Sequence, residues 1–140
     1  MINAKFQFED HSQAFKDKVI IFSDTMMALM ATAIQSQIIT SNKVPLLPKS
    51  TKWAQRGALR SSIRSHKLET GRYSVTAGEN SPAAAYAAAQ EAGMTRGHPM
   101  RKYSTPGTGP HWFEDAVETV KGRANEYAKT AEKAAGITEV

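Results

Sequence analysis

The stretch Ala58-Leu-Arg-Ser-Ser-Ile-Arg-Ser-His-Lys-Leu-Glu-Thr-Gly-Arg-Tyr-Ser-Val-Thr-Ala77 decides whether this chain is wholly helical or mixed. Leu59, Ser61, Ile63 and Ser65 fall on one parity; Arg60, Ser62, Arg64 and His66 fall on the other. That period of two reads as a half-buried strand with a basic outer face, running from Ala58. After Glu69-Thr-Gly71 the alternation resumes, with Tyr73, Val75 and Ala77 against Arg72, Ser74 and Thr76. Two such runs joined at a glycine turn make an antiparallel hairpin, which Gly78-Glu-Asn-Ser-Pro82 ends.

Toward the N-terminus the period changes. Phe15, Val19, Phe22, Met26, Leu29 and Ala33 recur at steps of four and three, which predicts a helix over about residues 10–39. Asp10 or Ser12 can cap it, with Phe8 outside as a staple. Ile20, Ile21, Met27 and Met30 widen the apolar surface beyond one stripe, so the helix needs cover on more than one side, in part from another subunit. Between helix and hairpin, Pro45 and Pro48 break regular structure. Trp53 beyond them reads as a packing anchor in preference to a binding platform.

Toward the C-terminus, Ala83 to Ala92 is alanine-rich, with Pro82 before it and Gly93 after it, and reads locally as a helix. Met94 to Lys102 is a basic loop carrying Arg96, Arg101 and Lys102. Tyr103-Ser-Thr-Pro-Gly-Thr-Gly-Pro-His-Trp-Phe113 is a stiff turn, in which Gly107 and Gly109 supply positive φ or a close backbone approach between Pro106 and Pro110. It sets Trp112 and Phe113 onto the sheet. A last helix follows from about His111 to Ala135, with Phe113, Ala116, Val120, Tyr127, Ala131 and Ala135 on one face and Glu114, Asp115 and Glu118 in its first turns. The expectation is an α+β fold: a long N-terminal helix, a small antiparallel β-sheet with a basic hairpin, and a C-terminal helix packed on the sheet. One domain spans 1–140, divided as 1–42, 43–110 and 111–140.

The chain has 140 residues, 41% of them hydrophobic, and no cysteine, which excludes disulfide and thiolate chemistry. The first ten residues lack the pattern of a signal peptide, and no run approaches the 18 apolar residues of a membrane span, so a soluble protein is expected. The net charge of +5 is uneven: residues 43–103 hold eleven Lys/Arg against three Glu, between mildly acidic ends. Such a basic middle suits nucleic acid or an acidic partner, and equally a solvated sheet face. Arg56, Arg60, Arg64, Lys67, Arg72, Arg96, Arg101 and Lys102 are the candidates for a DNA-facing or interface surface.

Reaction chemistry is not apparent. Pro106-Gly-Thr-Gly-Pro110 lacks the Gly-Lys-Ser/Thr ending of a phosphate loop. His11, His66, His98 and His111 are scattered without metal-ligand spacing. No serine sits in a nucleophile-elbow pattern. An enzyme is therefore not expected, nor are catalytic residues, a cofactor or a metal.

Gly57-Ala-Leu-Arg-Ser-Ser-Ile63, a hairpin, Tyr86-Ala-Ala-Ala-Gln-Glu-Ala-Gly93 and the Tyr103–Phe113 turn with Ala116 downstream, in that order, resemble the tail-completion and head–tail joining proteins of long-tailed bacteriophages. The resemblance covers about residues 44–120. It departs before Gly57, where Val44-Pro45 is followed by an extension of about ten residues. The resemblance implies a strand over 84–92 in place of the helix that composition suggests, and the strand is the expectation adopted. It further implies a structural virion protein with no active site, a homo-oligomeric and commonly sixfold ring. This ring would be assembled in the host cytoplasm and seated at the head–tail junction as a neck or tail-terminator component. Its partners would be the tail tube protein, the head-side connector or stopper protein, and DNA passing non-specifically through the channel; no membrane is involved. A basic nucleic-acid-binding accessory protein is the alternative.

Overall fold

The computed structural model describes residues 12–46, 57–95, 98–99 and 107–137. It shows a mixed α+β chain: a long helix α1 (Ser12–Ser41), a short α2 (Ala58–Ser61) and a hairpin of β1 (Arg64–Glu69) and β2 (Arg72–Thr76). A 3-10 turn (Pro82–Ala85), α3 (Ala87–Ala92), the two-residue strands β3 (Met94–Thr95) and β4 (His98–Pro99), α4 (Trp112–Lys121) and α5 (Ala124–Ala135) follow.

Helix α1 is the spine. It stops where Asn42 turns left-handed at φ 55, a conformation asparagine tolerates as a helix stop. β1, β2, α4 and most extensively α5 pack along it. The Lys18 ammonium donates to the Gly136 carbonyl at 3.3 Å, so the end of α5 lies beside the first turns of α1. The expected cover on more than one side is therefore present, with hairpin and C-terminal helices sharing the spine. Residues 12–21 are nonetheless all exposed.

The hairpin pairs Arg64 with Thr76, Ser65 with Val75, His66 with Ser74 and Lys67 with Tyr73, and an irregularity between Lys67 and Glu69 leaves Leu68 out of register. Thr70-Gly71 is the turn, with Gly71 at φ 78. The expected parity holds on either side of that irregularity, from Ile63 to Lys67 and from Arg72 to Ala77.

Three expectations fail. The strand does not start at Ala58: Gly57 at φ 86 opens a helical turn instead, and the Ser61 and Ser62 hydroxyls donate back to the carbonyls of Ala58 and Leu59. Four residues are too few for alternation to separate strand from turn. Residues 84–92 do not form a strand. Ser81 accepts from the Ala83 amide, Pro82 occupies the first turn, and Gly93 at φ 68 closes the helix. Alanine's preference prevails because no third strand pairs with β1–β2 among the described residues to oppose it. The C-terminal helix is two helices, broken at Gly122-Arg123, where glycine is a poor helix former. Inside the expected basic loop, β3 and β4 pair antiparallel.

The main core joins Ile38 of α1, Val44, Leu59 of α2, Ile63, Ala83, Ala87 of α3, and Trp112 and Ala116 of α4. The Trp112 indole is 2% exposed, and its Nε1–H has no acceptor among the described residues. Burial pushes the Tyr86 phenol pKa up, against a hydrogen bond with the Leu59 backbone.

α1 also contains an 18-residue window of mean hydropathy 1.4, long and apolar enough to cross a membrane by length and composition. This revises the expectation of no such stretch, because a window average absorbs the single charge of Asp24.

Gly78 is tightly enclosed. At φ +85, a Cβ there would lie 3.0 Å from the Ala87 Cβ and 3.2 Å from the Ala83 backbone. Its amide also donates to the buried Ser62 hydroxyl at 2.7 Å. Gly78→Ala is expected to cost at least about 2 kcal/mol, combining left-handed strain with overpacking; urea denaturation measures it, and a variant as stable as the parent refutes the constraint.

Candidate functional site

Among the described residues, three of the four basic candidates are committed to contacts within the chain. Arg60 donates from Nε to the Val44 carbonyl at 2.8 Å and from Nη2 to the Asn42 carbonyl at 3.1 Å, clamping the turn after α1 onto α2. Lys67 pairs with Asp24 at 3.2 Å, and Arg72 with Glu69 at 2.9 Å. Arg64 differs: one guanidinium nitrogen donates to the Ile63 carbonyl at 2.8 Å, and no carboxylate pairs with it among the described residues. Arg56, Arg96, Arg101, Lys102 and Pro106 lie outside the described residues.

The inner face of the hairpin meets α1 through Asp24 and Gln35, two polar side chains of that helix to which its apolar spacing gives no role. Asp24 Oδ1 accepts from the Gly71 amide at 2.9 Å and from the Tyr73 hydroxyl at 3.0 Å, while Oδ2 takes Lys67. The Gly71 amide is the main cause holding the Asp24 carboxyl below its usual pKa, helped by Lys67 and Tyr73 against partial burial. Reciprocally, Asp24 raises the pKa of Lys67. Farther along α1, Gln35 accepts from the Ser65 amide and hydroxyl and donates to the Ile63 carbonyl. The available signal was that Asp24 is the sole charge between Lys18 and Lys43.

The turn residues divide by role. Gly107 sits at φ +81 with open space around it, whereas Gly109 has no positive φ and acts through its amide, which donates to the Lys43 carbonyl at 3.2 Å. Pro110 is exposed. Phe113 lies edge-on to Trp112, with ring centroids 6.0 Å apart, and shares an apolar recess with Tyr73 and Val75 of β2.

The start of α4 has His111 at its N-cap, left-handed at φ 62 and giving no side-chain cap. Glu91 of α3 supplies it instead. Its two carboxylate oxygens accept from the amides of Phe113 and Glu114, each at 2.9 Å, and its carbonyl accepts from His111. A helix whose own N-cap residue offers no acceptor has orphan amides that need one from elsewhere, which is the clue the sequence held. His111 also contacts Glu114 at 3.3 Å, so Glu91, His111 and Glu114 hold potential ligand atoms within 4.8 Å of one another. Capping already accounts for Glu91.

A polar cleft of about 400 Å³ lies on the outer face of the hairpin, between β1 and the 79–82 turn. Ser61, Arg64, His66, Thr76, Glu79 and Asn80 line it. The His66 Nε2 is 3.5 Å from Glu79 and 3.3 Å from the Thr76 hydroxyl.

Compared with family models, curated proteins and solved structures, the chain matches none of them.

Two outcomes are expected. Asp24 has a lowered folded pKa, so its contribution is complete above the unfolded value of about 3.9 and disappears as pH falls through the folded value. Asp24→Asn should therefore melt below the parent at neutral pH, with the gap closing as the solution is acidified; a gap constant with pH counts against the clamp. Arg60→Glu should lose about 1.5–3 kcal/mol by stranding the buried Val44 carbonyl, whereas Arg64→Glu should leave the melting temperature near that of the parent.

Proposed function

We propose that this chain is a structural assembly subunit that joins copies of itself into a ring, the ring of a bacteriophage head–tail junction. The observation that supports assembly is the first half of α1. Phe15 is 63% exposed, Ile20 51% and Ile21 46%. These side chains and Val19 point in different directions around the helix, and a cluster of exposed large apolar side chains marks an interaction surface. Each such side chain contributes roughly 1.5–3 kcal/mol on full burial, scaled here by the fraction still open.

A second copy is the cover we favour. Farther along the same helix, Met27, Met30, Ile34, Tyr73, Val75 and Phe113 line an apolar recess of about 250 Å³. Seating the helix end of one copy in the recess of the next is a head-to-tail contact, the kind that closes into rings. The virion setting rests on the resemblance over residues 44–120, from which α3 departs by being helical. Tail tube, connector and DNA as partners, the virion location and the lack of an enzymatic role belong to the same reading. The alternative, a nucleic-acid-binding protein, is weakened by the internal pairing of Arg60, Lys67 and Arg72.

Light scattering on purified protein should find a closed oligomer, visible as rings by negative stain. Ile20→Asp should yield monomers that still unfold cooperatively on heating, at a melting temperature no longer dependent on protein concentration. A strictly monomeric parent, or one that partitions into lipid vesicles instead, overturns the ring. A ring that never caps tail tubes on mixing leaves assembly standing and removes the phage setting.

A further inference from the structure

We propose that the polar cleft between β1 and the 79–82 turn binds a small ligand through an oxyanion, a carboxylate or phosphate group, held by Arg64. This goes beyond the assembly reading and does not depend on it.

The geometry is that of a partly preset fork. One arm of the Arg64 guanidinium is fixed by its 2.8 Å bond to the Ile63 carbonyl. Its remaining N–H donors meet no acceptor among the described residues and belong to a side chain that lines the cleft. A planar guanidinium with one arm fixed presents the others in a set direction, the arrangement that suits two-pronged recognition of an oxyanion.

The charges around it favour the same conclusion. Glu79 is a carboxylate in the lining, yet it sits against His66 at 3.5 Å and forms no ion pair with Arg64. Arg60, Lys67 and Arg72 each have internal partners, so Arg64 is the described basic candidate that meets no carboxylate or second element. It also lines a concavity. A volume of about 400 Å³ falls in the lower part of the range of small-molecule sites. Asn80 and Ser81, both with polar side chains, also line the cleft. Ser81 accepts from the Ala83 amide, which leaves its own proton to donate.

The test is a titration of the full-length, isotope-labelled chain, followed by NMR, with inorganic phosphate in one series and acetate in another. Sodium chloride holds the ionic strength constant. A saturable shift of the Arg64 Nε–H and of the Asn80 and Ser81 amides is expected in at least one series. Arg64→Gln should weaken it by about tenfold or more, the loss of one charge-assisted pair. Arg64→Lys, which keeps the charge and loses the fork, should fall between. Saturation by phosphate alone identifies a phosphate-bearing ligand, and saturation by acetate identifies a carboxylate. Linear drift in both series overturns the site, as does an Arg64→Gln variant, shown to be folded by its melting curve, that titrates like the parent.

Discussion

Asp24 carries the one charge between Lys18 and Lys43, in the middle of a helix otherwise apolar enough to satisfy the composition of a membrane span. Its carboxylate gathers the Gly71 amide, the Tyr73 hydroxyl and the Lys67 ammonium. An apolar helix has little to fix its rotation, since one greasy face packs about as well as another. A single anion that must meet three donors at a hairpin tip removes that freedom. Gln35 does the same at the hairpin base through Ser65 and Ile63. With both ends pinned, Lys67, Tyr73 and Val75 face the helix, and Arg64 and His66 face away. A slip of one residue would exchange these faces, so the cleft and the apolar recess both inherit their positions from this contact.

The other half of the molecule is organised around the turn at 42–46. Arg60 reaches its carbonyls from α2, and Gly109 donates to Lys43 from the approach to α4. Val44 and Trp112 are buried in the core beside it. Three segments distant in sequence thus converge on one short connection. α4 is added through the Glu91 carboxylate, which meets amides at the positive end of its dipole.

What the sequence disclosed follows the length of each signal. Thirty residues of apolar recurrence located α1 within two residues at either end. Alternation on both sides of the Gly71 turn located the hairpin and its faces. Ala58–Ser61 misled because a single turn carries too few residues to express a period. For 84–92 the composition was sound and the resemblance was not, since the Ser81 cap, Pro82 and Gly93 agreed with the alanines. The site was less legible. A count of lysines and arginines reports charge, whereas function depends on which charges already have partners. Asp24 lies far from Lys67 in sequence, as Asn42 does from Arg60, and no local pattern records either pairing.

The Glu91 bridge has a further consequence for the chain between α3 and α4. Because Glu91 holds His111, Phe113 and Glu114 directly, the start of α4 is fixed to the end of α3 whatever the length of chain between them. The entropy of closing such a segment grows only with the logarithm of its length, by about 0.6 kcal/mol per doubling. The seating of Trp112 is thereby set by the Glu91 contact and depends only weakly on how many residues join the two helices.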